Sequence, residues 1–353
     1  MMSNSRKTFI AALLFQALFL IGCEQKDATV HSWKLQSHAS QDSLDYQELV
    51  KMADNIRLMS NGRLDITPYP AGEIIDGPNI FNSVSDRTIE MGNGWPNWWS
   101  GQHPAWAVMN AGPFDFMNLD ASMMFFLAGE GTALANELSG PSNIIWRPAW
   151  WPGMEFGLLS KEPIRGLRDL HEKRVRIGPG LPSEVLAEAS GAYTIPLVPN
   201  EIRPALEANN LDAVEWTTTS GAWNLGLQDV SNYAIVPAIW QPSVLADFLI
   251  NKTAFEELPK DLQAILETAI KSYTLTTTLK AKNEDIEALQ RFQNSNTVFS
   301  HWSEEDLSQF RQASDRILAR YKEQDEFSRQ LIEKKQAFKA RYNKYYEVFG
   351  SYE

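Results

Sequence analysis

The chain has 353 residues, 44% of them hydrophobic, and a net charge of −12. That length supports one large domain or two medium ones with ample core. The charge excludes a nucleic-acid binder and electrostatic adhesion to anionic lipid, since both need basic surface. The single cysteine, Cys23, excludes disulfides and cysteine-rich metal sites.

Arg6 and Lys7 precede an apolar run from Phe9 to Ile21, broken only by Gln16. This is a secretory leader, too short to span a membrane comfortably as a mature helix. It ends in Leu20-Ile21-Gly22-Cys23, which resembles a bacterial lipobox. Residues 1–23 are therefore expected to be a lipoprotein signal, with Cys23 lipidated as the new N-terminus and residues 24–30 as a polar tether. A plain signal peptide with an incidental cysteine is the alternative.

Val30 to Gln36 then reads as a strand and Ser43 to Ser60 as an amphipathic helix. In that helix Leu49, Met52, Ile56 and Met59 recur at helical spacing, and Asn61-Gly62 closes it. Arg63 to Tyr69 is a strand, Gly77 to Ser85 a short helix and Thr88 to Gly92 a third strand. This alternation predicts an α/β unit with a largely parallel sheet. Gly94 to Gly101 holds three indoles in eight residues, and Asn97 and Trp98 are its candidates for a wall over a ligand. A loop folded back on the core is the alternative there.

A long helix is expected over Ala121–Leu138, with Gly129 and Gly131 permitting close packing, and a second Trp/Pro/Gly loop over Trp146–Gly153. Strands over Glu155–Ser160, around Arg176 and over Thr194–Leu197, with helices over Ser183–Ser190 and Glu201–Asn209, make a second run of α/β units. Ser231 to Pro237 and Val244 to Asn251 read as strands. Long charged helices follow over Asp261–Phe292, Ser303–Tyr321 and Asp325–Tyr346, interrupted by a strand at Asn296–His301. The last helix carries enough aromatic residues to pack across both units or to reach a second subunit.

The chemistry concentrates at the ends of three segments. Ala213-Val214-Glu215-Trp216 is a short strand that leaves a carboxylate and an indole at its exit. Lys173-Arg174-Val175-Arg176-Ile177-Gly178 has the same form with charge and glycine, and Ile239-Trp240-Gln241-Pro242 follows downstream. Strand exits of an α/β sheet are where ligands bind, so the three are expected to face one cleft holding a small organic anion. A guanidinium is the group for a carboxylate, being planar, bidentate and permanently charged.

These pieces resemble the extracytoplasmic solute-binding subunit of tripartite ATP-independent periplasmic (TRAP) transporters. The resemblance runs roughly from Trp33 to Tyr346. It rests on Trp33 to Ser37, Gly129-Glu130-Gly131 with Asn136-Glu137, Lys173 to Arg176, Leu211 to Trp216, Phe248 to Lys252, Leu258 to Gln263 and Phe338 to Tyr342. It is nearest to the branch that binds 2-oxo and 2-hydroxy monocarboxylates. The resemblance implies a two-lobed α/β periplasmic-binding-protein fold, type II-like, with a long C-terminal helical segment. Its lobes would be 31–155 with 218–250, and 156–217 with 251–325, leaving 326–353 as a helix for dimer contact through Phe338, Tyr342, Tyr345 and Tyr346.

It also implies that Arg176 clamps the substrate carboxylate, with Trp216, Glu215, Gln241 and His38 around it, beside the loop candidates Asn97 and Trp98. In that branch a cation bridges substrate and protein through the Glu-Trp strand, a Trp-x-Glu-Pro-like turn and a hinge glutamine. Here Glu215, Trp216 and Gln241 are the corresponding metal candidates. Gln241 stands where the branch has a carboxylate. Met154 stands at the hinge position, with Glu155 beside it. Na⁺ or Ca²⁺ is thus left open, and without it Glu215 and Gln241 would bond the substrate directly. His38 is either a donor to the ligand or a solvated histidine.

The implied role is capture and delivery to TRAP membrane permease subunits from the periplasm, without chemistry. A ligand-binding subunit of a sensory receptor would use the same site. A metal-assisted enzyme would need a nucleophile or an acid/base pair, and no Gly-x-Ser-x-Gly or His-Glu-x-x-His occurs.

Overall fold

The computed structural model describes residues 29–350. The leader, the lipobox Cys23 and most of the tether lie outside the described residues. Two mixed sheets carry the fold. The first has the strand order β2-β1-β3-β10-β4: β1 His31–Gln36, β2 Leu64–Tyr69, β3 Met91–Gly94, β4 Ile144–Trp150 and β10 Ala246–Asn251. The second has the order β11-β9-β5-β8-β6-β7: β5 Leu158–Ser160, β6 Arg174–Arg176, β7 Tyr193–Ile195, β8 Ala213–Glu215, β9 Tyr233–Val236 and β11 Val298–His301.

The sheets are less parallel than the β/α alternation predicts. β1 to β3 are mutually parallel, as are β6 to β8. β10 runs antiparallel to both its neighbours, and so does β5. β5 is where the chain first passes into the second sheet and β10 where it passes back, whereas β11, the later re-entry, pairs parallel with β9. β9 lies in the second sheet beside β5 and β11. The return to the first sheet therefore comes at β10, later than the expected switch at residue 218.

Among the described residues eleven further segments of regular helix frame the sheets after α1, Leu44–Met59: α2 Ile80–Ser85, α3 Ala105–Met109, α4 Leu119–Leu127, α5 Gly131–Ser139, α6 Leu181–Ser190, α7 Pro199–Glu207, α8 Thr219–Asn224, α9 Lys252–Glu257, α10 Lys260–Gln293, α11 Glu304–Gln324 and α12 Glu326–Phe349. In α1, Ser43 Oγ caps the Tyr46 N–H, and Leu49, Met52 and Ile56 are buried while Met59 is half exposed. The single helix expected over Ala121–Leu138 is two. They part at Gly129, where a Cβ would stand 2.8 Å from the Phe125 carbonyl oxygen.

Trp146 to Trp150 belong to β4, not to a loop. β4 is an edge strand, so Pro148 removes no needed ladder donor, and the register shifts opposite it at Ala246/Asp247. α10, about 50 Å long at 34 residues, packs on α1 at one end and on α8 at the other. It ties the two halves together. α12 folds onto its own chain: Phe338 packs on Phe116 and Phe125, and the Tyr342 and Tyr346 hydroxyls donate to Asp120. Phe338 is thereby used inside the chain, whereas Tyr345 and Phe349 stay exposed.

Candidate functional site

β6 and β8 are parallel neighbours, with Val175 opposite Ala213 and Arg176 opposite Val214. Their C-terminal ends coincide, so Arg176 and Glu215 emerge side by side at the carboxyl edge of the sheet. Arg176 is 8% exposed. Its Nη1 donates to the Glu215 carbonyl at 2.7 Å and to Glu215 Oε2 at 3.0 Å, and its Nε and Nη2 donate to the Leu197 carbonyl at 3.2 Å. The guanidinium carbon lies 4.7 Å from the Trp216 ring centroid, a cation–π contact that also fixes the plane of the fork. Gly178 N–H donates to Glu215 Oε2 at 3.2 Å. The turn after Trp216 places Thr217 at φ 28°, a conformation that costs energy for a β-branched residue. The Thr217 carbonyl is held there by the Phe156 N–H at 2.9 Å.

Glu155 joins this cluster from the crossover between β4 and β5. It pairs in an isolated bridge with Thr218, and its N–H donates to Pro242. Gln241 Nε2 donates to Glu155 Oε1 at 3.3 Å. Glu155 Oε2 is buried without a donor. Burial, then the charge and proximity of Glu215, hold the Glu155 carboxyl well above the usual carboxylate range, with Gln241 and Arg176 opposing. Two acidic side chains therefore face one guanidinium in a buried space. A shared proton or a cation would satisfy the orphaned oxygen.

Arg176, Glu215, Trp216 and Gln241 are thus brought together, with Gln241 reached through Glu155. The other three predicted residues form a second group. Trp95 to Gly101 makes a 3₁₀ turn from Pro96, with Trp99 buried and Trp98 half-buried. Asn97 accepts from Asn110 Nδ2 at 3.0 Å and donates to the Pro179 carbonyl at 3.4 Å. Pro179 follows the Arg176 strand, so Asn97 reaches from the first sheet's loops to the second's. His38 is not solvated. Its ring lies 4.7 Å from Trp95 and 6.2 Å from Trp98, and Nε2 is 3.4 Å from Asp45 Oδ2. Burial lowers its pKa, and Asp45 only partly offsets this.

Sequence reasoning did not find Leu197, Asn110, Asp45 or Asp247. The first three act through backbone or long-range contacts that no local pattern carries. Asp247 left a signal, as a lone carboxylate in an apolar strand. It is fully buried and accepts from the indoles of Trp99 at 2.9 Å and Trp146 at 2.7 Å.

Among the described residues no cluster of three or more His, Cys, Asp or Glu side chains that could hold a metal occurs. The donor set at Arg176 nonetheless fits a hard monovalent or divalent cation. Glu155 and Glu215 offer carboxylate oxygens, Gln241 an amide oxygen and Trp216 a backbone carbonyl, which is oxygen-ligand chemistry. Among the described residues no helix is long and apolar enough to cross a membrane.

Residues 35–325 match the family described as DctP, bacterial extracellular solute-binding protein, family 7. The chain is 30% identical over 288 residues to a monocarboxylate 2-oxoacid-binding periplasmic protein of Nostoc sp., covering 82% of this chain and 78% of that one. The fold is similar to that of a TRAP periplasmic solute-binding protein from Pseudoalteromonas atlantica with bound sodium and pyruvate. The TM-score is 0.84 at 24% identity, over 91% of this chain and 97% of that chain. A TRAP periplasmic solute-binding protein from Colwellia psychrerythraea with bound calcium and pyruvate gives a TM-score of 0.85 at 24% identity and the same coverage.

Proposed function

The chain belongs to family 7 of the bacterial extracellular solute-binding proteins, and from this premise we propose that it captures a small 2-oxo or 2-hydroxy monocarboxylate outside the cytoplasm and hands it to TRAP membrane permease subunits. The observation that carries the reading is Arg176, a buried guanidinium stacked on Trp216 at the carboxyl edge of a sheet. One cationic clamp suits one carboxylate. Relatives that bind 2-oxo acids and pyruvate support the substrate class.

In this reading the ligand carboxylate takes Nη1 of Arg176, and Glu215 gives up that bond. Glu155, Glu215, Gln241 and the Trp216 carbonyl would hold Na⁺ or Ca²⁺, which would supply positive charge beside the displaced carboxylate. In the same reading the half-buried Trp98 and the Asn97–Pro179 link would line the closing side, with His38 and Trp95 packed beside Trp98. No step in this cycle calls for a nucleophile. The lipid anchor through Cys23 and a homodimer through the exposed end of α12 belong to the same proposal.

Intrinsic tryptophan fluorescence tests it. Residues 24–353 are titrated with pyruvate, longer 2-oxo acids, lactate and a dicarboxylate, with calcium, with sodium, and after chelation. Saturable binding of monocarboxylates that is lost in Arg176→Ala supports the clamp. Binding confined to dicarboxylates or neutral solutes, or indifferent to Arg176→Ala, overturns it. Genes for two permease subunits beside this one favour transport, and a receptor gene there favours sensing.

A further inference from the structure

Away from the Arg176 cluster, a cavity of about 220 Å³ opens between the loop after α3, the start of α6 and the two C-terminal helices. Its walls come from both halves of the molecule: Phe114 from one side, Leu181 from the other, with α11 and α12 closing it. Three cations, Arg311, Lys335 and Lys339, line it against two carboxylates, Asp115 and Asp315, in a chain whose overall charge is −12.

Lys335 is spent. Its ammonium is buried, donates to the Val108 carbonyl at 2.9 Å and the Asn110 carbonyl at 2.7 Å, and pairs with Asp115. Arg311 and Lys339 are different. Among the described residues neither makes an ion pair with a carboxylate. Arg311 lies over the Phe114 ring at 4.3 Å, and Lys339 donates to the Phe114 carbonyl. Burial lowers the Lys339 pKa, and Arg311 and Lys335 push the same way against Asp115. Like charges are thus held together at the mouth of a cavity whose remaining lining includes Val108, Leu181 and Ile332. Phe114 itself is held at φ 51°, a left-handed conformation unusual for a bulky residue, with its N–H on the Ile239 carbonyl at 2.9 Å. Cations left unpaired beside an apolar wall are poised for an anion that brings its own apolar body.

We propose that this cavity is a second ligand site, taking a small organic carboxylate whose charge lies between Arg311 and Lys339 and whose body rests on Val108, Leu181 and Ile332. It shares no residue with the Arg176 cleft. Occupancy would bridge α11 to α12, and so tie together the helices that pack on the two halves.

Calorimetric titration with benzoate tests it on the full mature chain, as wild type, Arg176→Ala, Arg311→Gln and the double variant Arg311→Gln/Lys339→Gln. The expected result is saturable binding that survives in Arg176→Ala and weakens about tenfold or more when the charges at 311 and 339 are removed. Arg311 is exposed, so Arg311→Gln folds whatever Lys339 contributes to packing, and its melting curve checks this. Failure of Arg176→Ala to bind benzoate overturns the second site while leaving the cleft reading untouched. Binding indifferent to both substitutions overturns it as well.

Discussion

The Arg176 guanidinium lies 4.7 Å from the Trp216 ring centroid and is bonded at once to the backbone and the side chain of Glu215. Strand pairing alone brings the two strand ends together, so the proposed clamp needs no ligand to assemble it. Removing it leaves Glu155 and Glu215 buried without their counter-charge. Arg176→Ala is expected to lower monocarboxylate affinity by about 2–5 kcal/mol, the loss typical of one partner of a buried charged pair. Arg176→Lys keeps the charge and loses the fork and the stacking, so it should recover only part of the affinity. Calorimetric titration of both variants decides this, and equal affinity in Arg176→Ala would remove the clamp.

The orphaned Glu155 oxygen gives the cation its own test. Chelation is expected to weaken monocarboxylate binding in the wild type and to matter less in Glu155→Gln and Glu215→Gln, where the excess negative charge is gone. Terbium luminescence sensitised by the nearby Trp216 reads occupancy without any substrate. Ligand binding indifferent to chelation in the wild type, with no terbium signal, would exclude a calcium ion, and binding equal in sodium-containing and sodium-free buffer would exclude sodium.

Asp247 predicts a pH dependence of stability. Burial raises its pKa from 3.8 to about 7, opposed by the Trp99 and Trp146 indoles. The unfolded chain releases this proton near pH 4 and the folded chain near pH 7. Between those values the folded state binds more protons, so this group's contribution to stability falls as pH rises through that window. At about 1.4 kcal/mol for each pH unit, the full effect is on the order of 4 kcal/mol. Asp247→Asn should flatten the slope of urea-derived stability between pH 4 and 7. An unchanged slope would assign the dependence elsewhere.

Asn97 connects the tryptophan turn to Pro179 on the other side of the site. If ligand capture depends on that connection, Asn97→Ala costs about 1 kcal/mol of ligand affinity, one neutral hydrogen bond, seen mainly as faster release. Stopped-flow fluorescence separates the rates, and unchanged release would reduce Asn97 to a partner of Asn110.

The exposed end of α12 predicts association. Tyr345→Ser with Phe349→Ser should shift a concentration-dependent sedimentation profile toward monomer while leaving the melting temperature unchanged, since both residues are exposed. A wild type that sediments as a monomer at every concentration would set the dimer aside.

Much of this protein was legible in the chain itself. Strand and helix periods, glycine stops and charged strand exits are local properties, so the α/β alternation, the family and the cluster of Arg176, Glu215 and Trp216 follow from short segments. Tertiary structure decided the rest. Trp146 to Trp150 form a strand because an edge position tolerates Pro148, and no local pattern says which strand is an edge. β5 and β10 run antiparallel to strands distant in sequence, a pairing that no local pattern reports. Met154 occupies the sequence position where a hinge ligand was sought, yet Glu155 turns inward to meet Gln241 and Glu215, since alternation along an extended segment sends neighbours to opposite faces. His38 is buried beside Trp95 by a loop more than fifty residues away in sequence. Composition sets which groups are available. Only the packing of distant segments decides which are desolvated together, and desolvation is what turns Glu155 and Asp247 from ordinary carboxylates into perturbed ones.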